Sequence, residues 1–271
     1  MIQVILLDIE GTTCPVDFVA KTLFPYAQVH LSQTLEREKD EPRITTIIQE
    51  AIDEWHQDSD PTCQQMLAIT NQSPPSNAQV AEYLQHLIKS DRKSTALKEL
   101  QGIIWKQGYE SGELTTQLFA DVLPSLDAWT QKGMTLAVYS SGSVQAQKLL
   151  YEHTSQGDIS DRFSNWFDTR TGPKLKTESY NKICRTLNTP EESALFISDH
   201  PGECDAALSA GLRTTFCLRP GNPHQDPGQH DLIQSFHDLM HNPGLPFRFM
   251  HNQWAQKKPP HRGVAFFGSQ T

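Results

Sequence analysis

The segment Ile5-Leu6-Leu7-Asp8-Ile9-Glu10-Gly11-Thr12-Thr13-Cys14-Pro15, read ILLDIEGTTCP, begins as a buried strand and stops abruptly on two acids, a glycine and two threonines. Further apolar runs occur at 136–140, 194–199 and 214–218, and helical periodicity follows the later ones at 144–151, 177–187 and 204–210. Strands alternating with helices predict an α/β fold, a parallel doubly wound sheet. In such a sheet ligands gather at the carboxyl ends of the strands, which is where Asp8 and Glu10 stand. Strand alternation puts the two acids on one side, and Gly11 lets the backbone swing away after them. Two carboxylates alone are equally well explained as solvated decoration of a strand end, so the remaining strand ends decide the matter.

Composition narrows the field. A chain of 271 residues with 37% hydrophobic residues is long enough for one large domain with a smaller one inserted. Its 23 basic residues against 32 acidic ones leave a net charge of −9, which argues against nucleic acid or an anionic membrane as partner. An anionic small substrate then needs a local cation. The cysteines Cys14, Cys63, Cys184, Cys204 and Cys217 are scattered, odd in number and without a C-x-x-C pair, as expected of reduced structural thiols in a cytoplasm. The N-terminal apolar run ends before Asp8 and has no basic leader, and no stretch approaches the ~18 apolar residues of a membrane span. The expectation is a soluble, cytoplasmic, monomeric protein.

Between the first and second strands the rhythm breaks. Helical periodicity marks 17–37, 44–55, 62–69, 78–89 and 94–107, with a connector at 71–77 containing Pro74-Pro75 and a return through 108–114. Asp17 is placed to cap the first of these helices. The expected organisation is a discontinuous α/β core at 1–15 and 110–241, an all-helical cap at 16–109 and a Pro/Gly-rich basic tail at 242–271, with 231–240 read as one helix.

Three further strand ends carry polar chemistry. Ser140-Ser141-Gly142-Ser143 offers hydroxyls and backbone donors at a helix start, suited to an anion, although a plain helix cap accounts for serines there too. Thr171-Gly172-Pro173-Lys174 follows Trp166-Phe167 and places an ammonium in a tight loop, and Phe196-Ile197-Ser198-Asp199 ends on a carboxylate. Acid pair, donor nest, lysine and third acid at one sheet edge are the parts of metal-assisted phosphoryl transfer to a carboxylate.

These residues carry a resemblance. Asp8–Thr13, Tyr139–Ser143, the Lys174 loop and the Ser198-Asp199 strand end, in that order, resemble the four motifs of the haloacid-dehalogenase (HAD) superfamily, whose core is Rossmann-like. ILLDIEGTTCPVDFV, IIWKQGYESGEL, VYSSGSVQAQKLL, GPKLKTESYNKI and LRPGN are similar, more closely, to the acireductone synthase family, the enolase-phosphatases of methionine salvage. The likeness runs from the first strand to Asn222. His200-Pro201-Gly202 after the strand-ending aspartate and a second lysine, Lys176, beside Lys174 depart from the family pattern.

The resemblance implies a mechanism. Mg²⁺ would be held by the carboxylates of Asp8 and Asp199 and the backbone carbonyl of Glu10. Asp8 would attack phosphorus to form an aspartyl-phosphate, Glu10 would act as acid and then base, and Ser140, Ser141 and Lys174 would hold the transferring phosphoryl group. The helical cap would select substrate and exclude water. The family's substrate is 2,3-diketo-5-methylthiopentyl 1-phosphate, enolised and then dephosphorylated to acireductone. Glu10 is the candidate enolisation base, with Lys174 or a cap residue as alternatives.

Other readings weigh less. His237 and His241 lie four apart, but Asp238 stands where H-E-x-x-H needs glutamate and a third ligand is missing, so a polar helix face accounts for them better than zinc. Lys257, Lys258 and Arg262 near aromatic residues read as a surface tail rather than a nucleic-acid site in an acidic chain. A general HAD-type phosphomonoesterase is the alternative enzyme, a dehalogenase needs no metal-binding acids, and a phosphate-binding module without turnover is the non-enzymatic reading.

Overall fold

The computed structural model describes residues 1–70, 74–90 and 92–240. Chain order begins with β1 (Val4–Leu7), α1 (Val16–Phe18), a π-helical turn (Val19–Leu23), α2 (Phe24–Arg37), α3 (Pro42–Gln57), α4 (Pro61–Ala68), α5 (Asn77–Lys89) and α6 (Thr95–Glu110). It continues with α7 (Val122–Gln131), β2 (Thr135–Tyr139), α8 (Val144–Glu152), β3 (Asn165–Phe167), α9 (Thr177–Thr186), β4 (Ala194–Ser198), α10 (Pro201–Ser209), β5 (Arg213–Cys217), β6 (Asp231–Ile233) and α11 (His237–Met240).

Every strand pairing is parallel, and the order across the sheet is β3-β2-β1-β4-β5-β6. The run Val4-Ile5-Leu6-Leu7 is continuously apolar because β1 is central and covered on both faces. Ile5 and Leu7 pack with Trp129 of α7 and Leu149 of α8, while Val4 and Leu6 pack with Tyr180 of α9 and Ala207 of α10. The direction of winding reverses between β1 and β4, which opens a crevice at their carboxyl ends. Asp8 follows β1 and Asp199 follows β4, so the two acids flank that crevice.

The helices between β1 and β2 have their own core, in which Leu31, Ile47, Trp55, Leu84 and Leu100 are almost wholly buried. Local chemistry sets their ends. Asp60 accepts from the backbone N–H groups of Thr62 and Cys63 at the start of α4, Ser76 and Gln79 form a capping box on α5, and Ser94 accepts from Leu97 N on α6. The first helix departs from the expectation. Pro25 has no N–H to donate backwards, and the preceding turn widens so that Phe24 N bonds to Val19 O. The Leu23 carbonyl is taken instead by Trp105 Nε1 of α6 at 2.8 Å.

Two other expectations are corrected. Asp17 caps nothing: Pro15 stands at the N-cap of α1, and Asp17 pairs one turn on with Lys21 at 2.7 Å. The 231–240 segment is not one helix. Its first residues add β6 to the sheet edge beside β5, and only His237–Met240 is helical, with Asp238 accepting from the N–H groups of Gln234 and Ser235. His241 and the tail at 242–271 lie outside the described residues. All five cysteines are buried and unpaired. Among the described residues no helix is long and apolar enough to cross a membrane.

Candidate active site

The turn after β1 is built to present Asp8. The Asp8 N–H extends the pairing to β4 by donating to Ile197 O at 3.0 Å, and Asp8 Oδ1 accepts from Ile9 N at 2.8 Å. The N–H groups of Thr12, Thr13 and Cys14 then converge on the Ile9 carbonyl. Gly11 turns the chain at φ +69°, a conformation that favours glycine. The carbonyls of this turn are held from outside: Gly11 O by Asn222 Nδ2, Thr12 O by Arg219 Nε and Thr13 O by Phe119 N. The Thr13 hydroxyl shares a 2.6 Å hydrogen bond with Tyr151 of α8.

Lys174 arrives from the loop before α9, its carbonyl accepting from Tyr180 Oη at 2.8 Å. Its ammonium donates to Asp8 Oδ1 at 2.8 Å and to Glu203 Oε2 at 2.6 Å, and only 7% of the side chain is exposed. Ser198 places one hydroxyl hydrogen between two carboxylates, 3.1 Å from Asp8 Oδ2 and 2.9 Å from Glu203 Oε2, and accepts from His200 N. Burial opposes the Lys174 ammonium, yet Asp8 and Glu203 outweigh it and hold the pKa above its ordinary value. Lys174 is therefore a fixed cation rather than a proton carrier.

The surrounding acids behave differently. Burial first, then the charges of Asp8 and Glu203, push Asp199 up to about 7, against the opposing pull of Lys174. Glu10 is exposed towards the cavity but flanked by protein; desolvation and Asp8 push it up to about 7. Glu203 is also raised, by burial and then by Asp8, with Lys174 opposing. Four carboxylates thus converge on one contacting ammonium, an excess of negative charge that suits a small hard cation bound by oxygen ligands.

On the opposite rim, β2 ends in the Ser140–Ser143 turn. Ser143 caps α8 by accepting from Ala146 N, and Gln147 Nε2 donates to the carbonyls of Gly142 and Phe167, which fixes the turn between two strand ends. Lys98 of α6 reaches across from the helical insertion to Ser141 O at 3.4 Å. Asp8, Glu10, Ser140, Ser141, Lys174 and Asp199, all named from the sequence, line one cavity of about 1010 Å³ between the sheet edge and the insertion. The insertion side of the lining is mixed: Val19, Leu23, Phe24 and Trp105 supply apolar surface, and Lys89, Arg92, Lys93 and Lys98 supply cations. Lys176 is exposed and is not among the residues that line this cavity.

Sequence reasoning missed Glu203, Arg219 and Asn222 as contributors. The only available signal for Glu203 was an acid four residues after Asp199, in the first turn of α10. Away from this cavity, Asp60, Cys63 and His86 bring ligand-type atoms within 4.8 Å of one another. That cluster is already satisfied: Arg92 Nη1 lies 3.2 Å from Cys63 Sγ, Asp60 caps α4, and burial with Asp58 pushes the thiol up to about 12.

A family model described as a haloacid dehalogenase-like hydrolase matches residues 2–211. An Enolase-phosphatase E1 of Synechococcus sp. (strain WH7803) is 56% identical over 240 residues, covering 88% of this chain and 99% of the relative. One from Prochlorococcus marinus (strain MIT 9313) is 47% identical over 240 residues, covering 88% and 98%. Among solved structures, the UTR4 protein of Saccharomyces cerevisiae is 30% identical and superposes with a TM-score of 0.71, covering 88% of this chain and 100% of that one. CbbY of Rhodobacter sphaeroides in complex with phosphate, 18% identical with a TM-score of 0.54 over 88% and 96% of the two chains, shares the fold.

Proposed function

The chain belongs to the haloacid dehalogenase-like hydrolases and, within them, to the enolase-phosphatases, and from that premise we propose that it converts 2,3-diketo-5-methylthiopentyl 1-phosphate to acireductone and inorganic phosphate in methionine salvage. The observation that carries the reading is the Asp8 carboxylate at the sheet crevice, pinned by the Lys174 ammonium with Asp199 beside it.

Asp8 is the nucleophile. Lys174 and Ile9 N–H hold its Oδ1, which fixes the carboxylate towards the cavity and removes the entropy of orienting it. Attack on phosphorus forms an aspartyl-phosphate as the bond from phosphorus to the ester oxygen breaks. Glu10, with a pKa near 7, protonates the departing oxygen and then takes a proton from the water that hydrolyses the intermediate. Ser140, Ser141 and Lys174 hold the phosphoryl oxygens. The carboxylates of Asp8 and Asp199 and the backbone carbonyl of Glu10 would hold Mg²⁺, a donor set of hard oxygens that suits this ion. When bound, it supplies positive charge against the phosphate and against the enediolate that develops on the diketone.

Enolisation removes a proton from carbon 1 of the substrate. Lys174 is held as an ammonium between two carboxylates and is not free to accept it, so the alternatives narrow to Glu10 and a cap residue, of which Glu10, next to Asp8 in the turn, is our candidate. The insertion at 16–109 acts as a cap over the core, and its wall of Val19, Leu23, Phe24 and Trp105 receives the methylthio end, where thioether and aromatic surfaces attract. The protein works as a monomer in the cytoplasm.

The test is Asp8→Asn. The amide is nearly isosteric but a poor nucleophile, so the variant should exchange solvent deuterium into carbon 1, or accumulate enol absorbance, without releasing phosphate. Mg²⁺ binding is measured in parallel. Phosphate release at the wild-type rate by the Mg-loaded variant would refute the aspartyl-phosphate, and a wild-type protein that releases phosphate with no preceding enol signal would make it a plain phosphatase.

A further inference from the structure

Helix α6 runs along the insertion side of the cavity and contributes Lys98, Gln101 and Trp105 to its lining. Spacings of three and four residues stack these side chains along one face of the helix. Lys98 stands nearest the Ser140–Ser143 turn, its ammonium 3.4 Å from Ser141 O. Trp105 stands at the other end, its indole N–H taken by Leu23 O. Gln101 lies between them, about 4.5 Å along the axis from Lys98 and about 6 Å short of Trp105.

Gln101 differs from its buried neighbours on α6. Only 7% of it is exposed, in a helix whose enclosed side is otherwise supplied by residues such as Ala96, Leu97, Leu100 and Ile104. Its amide makes no hydrogen bond to any described residue. Gln147, the other buried glutamine among the described residues, donates to Gly142 O and Phe167 O, and its unpartnered oxygen is fully enclosed. Neither amide atom of Gln101 is enclosed in that way. The small exposed part of Gln101 therefore includes its amide, and the space it opens to is the cavity. Water answers such an amide in the free protein, and a ligand with a matching polar atom displaces that water. A polar group that the fold does not use, nine-tenths buried in a cavity wall, is placed to orient a ligand.

We infer that Gln101 is a specificity-determining residue for the diketone phosphate, its Nε2–H donating to the ketone oxygen on carbon 3. This deepens the function proposed above and rests on it. Along α6 the order is cation, amide, indole; along the substrate it is phosphate, diketone, thioether. Lys98 at the Ser141 end matches the phosphate, and Trp105 belongs to the apolar surface that receives the methylthio end. The oxygen on carbon 3 remains a carbonyl from substrate to acireductone, so this hydrogen bond persists while bonds change at carbons 1 and 2 and at the ester. A phosphate ester without the ketone sets a hydrocarbon chain against the amide and removes the hydrogen bond that water gave it.

The test compares two phosphate esters on the full chain with Mg²⁺. The diketone phosphate is the substrate, read as kcat/KM, and pentyl phosphate, which lacks the ketones, is read as its inhibition constant against that substrate. Gln101→Met keeps the length and approximate volume of the side chain and removes both amide atoms. It should lower kcat/KM for the diketone phosphate by about tenfold, the size of one lost hydrogen bond, and leave pentyl phosphate binding within about twofold of wild type or tighter. Equal losses on the two compounds mean that the amide supports α6 rather than reads the substrate, and they overturn the inference. An unchanged kcat/KM overturns it as well. Should Gln101→Met fail to fold, Gln101→Asn, which draws the amide back by one methylene, is judged by the same criterion. Wild-type protein that does not act on the diketone phosphate, or that releases phosphate from pentyl phosphate equally fast, refutes the enolase-phosphatase reading itself, a result obtained before any variant is made.

Discussion

At the scale of single residues, Lys174 and Lys176 share a loop and differ in everything that matters. Lys174 is enclosed between Asp8 and Glu203, whereas Lys176 is exposed ahead of α9. Lys174→Ala would leave two facing carboxylates buried without their cation, and loss of an electrostatic partner in a water-poor site costs roughly 10²–10³-fold in turnover. Lys176→Ala should stay within about twofold of wild type, as surface substitutions usually do; steady-state kcat/KM on the two variants decides, and equal losses would show that turnover does not depend on the contact between Lys174 and Asp8. The raised acids make a second prediction. Asp199 and Glu10 titrate near 7, well above the ordinary carboxylate range, so near neutral pH each is partly protonated in the metal-free protein. An acid whose folded pKa is raised favours the folded state at low pH and loses that contribution as pH rises from the unfolded to the folded value, so these two groups lower the stability of the metal-free protein progressively from about pH 4 to 7, and the loss persists above that. Cation binding requires the ionised forms, so protons should leave as Mg²⁺ enters and affinity should weaken as pH falls below 7. Calorimetry at pH 6 in two buffers of different ionisation enthalpy reads the proton release directly, and a heat independent of buffer would show that the acids are already ionised.

At the scale of elements, α6 is the spine between the two cores. Lys98 near its start touches the Ser140–Ser143 turn, Trp105 in its middle closes the π-helical turn, and Tyr109 near its end shares a hydrogen bond with Thr116 at 2.9 Å. It passes α2 closely at Gly108, where an added Cβ would lie 2.6 Å from the Tyr26 ring. That ring has little freedom to retreat, since it stacks on His30 at 4.0 Å and its hydroxyl donates to Glu113 at 2.8 Å. Replacing glycine by alanine inside a helix ordinarily gains about 1 kcal/mol. Here the overlap costs roughly 1–3 kcal/mol and reverses the sign. Gly108→Ala should therefore lower the melting temperature, and Tyr26→Ala in the same chain should return part of the loss, so that the pair is less than additive. A stabilised Gly108→Ala would show that α2 and α6 part more easily than their packing implies.

At the scale of the whole molecule, what could be read from the sequence followed the length and burial of each segment. β1, β2, β4 and β5 announce themselves as apolar runs, and the acids that end β1 and β4 stand out because a charge interrupts such a run. β6 does not: Asp231-Leu232-Ile233 is too short to show alternation, and with Phe236 and Leu239 it imitates helical spacing. Glu203 escaped notice because an acid in the first turn of a helix is ordinarily a partner of the helix dipole. Asn222 escaped because its partner, Gly11 O, lies 211 positions away along the chain. The same topology has a consequence for synthesis. Val4 pairs with Thr135 on one side and Ala194 on the other, so β1, the first of the six strands to be made, has no neighbour until β2 follows and lacks its second until β4 does. At about 5–20 residues per second the wait lasts roughly 10–40 seconds. The helices from α2 to α6 find their partners among themselves and have no such delay. Pulse-labelled hydrogen exchange during refolding should accordingly protect the amides of α3 and α6 before those of Leu6 and Leu7. The strand that carries Asp8 waits longest for its second neighbour, and during that interval Val4-Ile5-Leu6-Leu7 keeps an unpaired sticky edge that a chaperone or another nascent chain can reach.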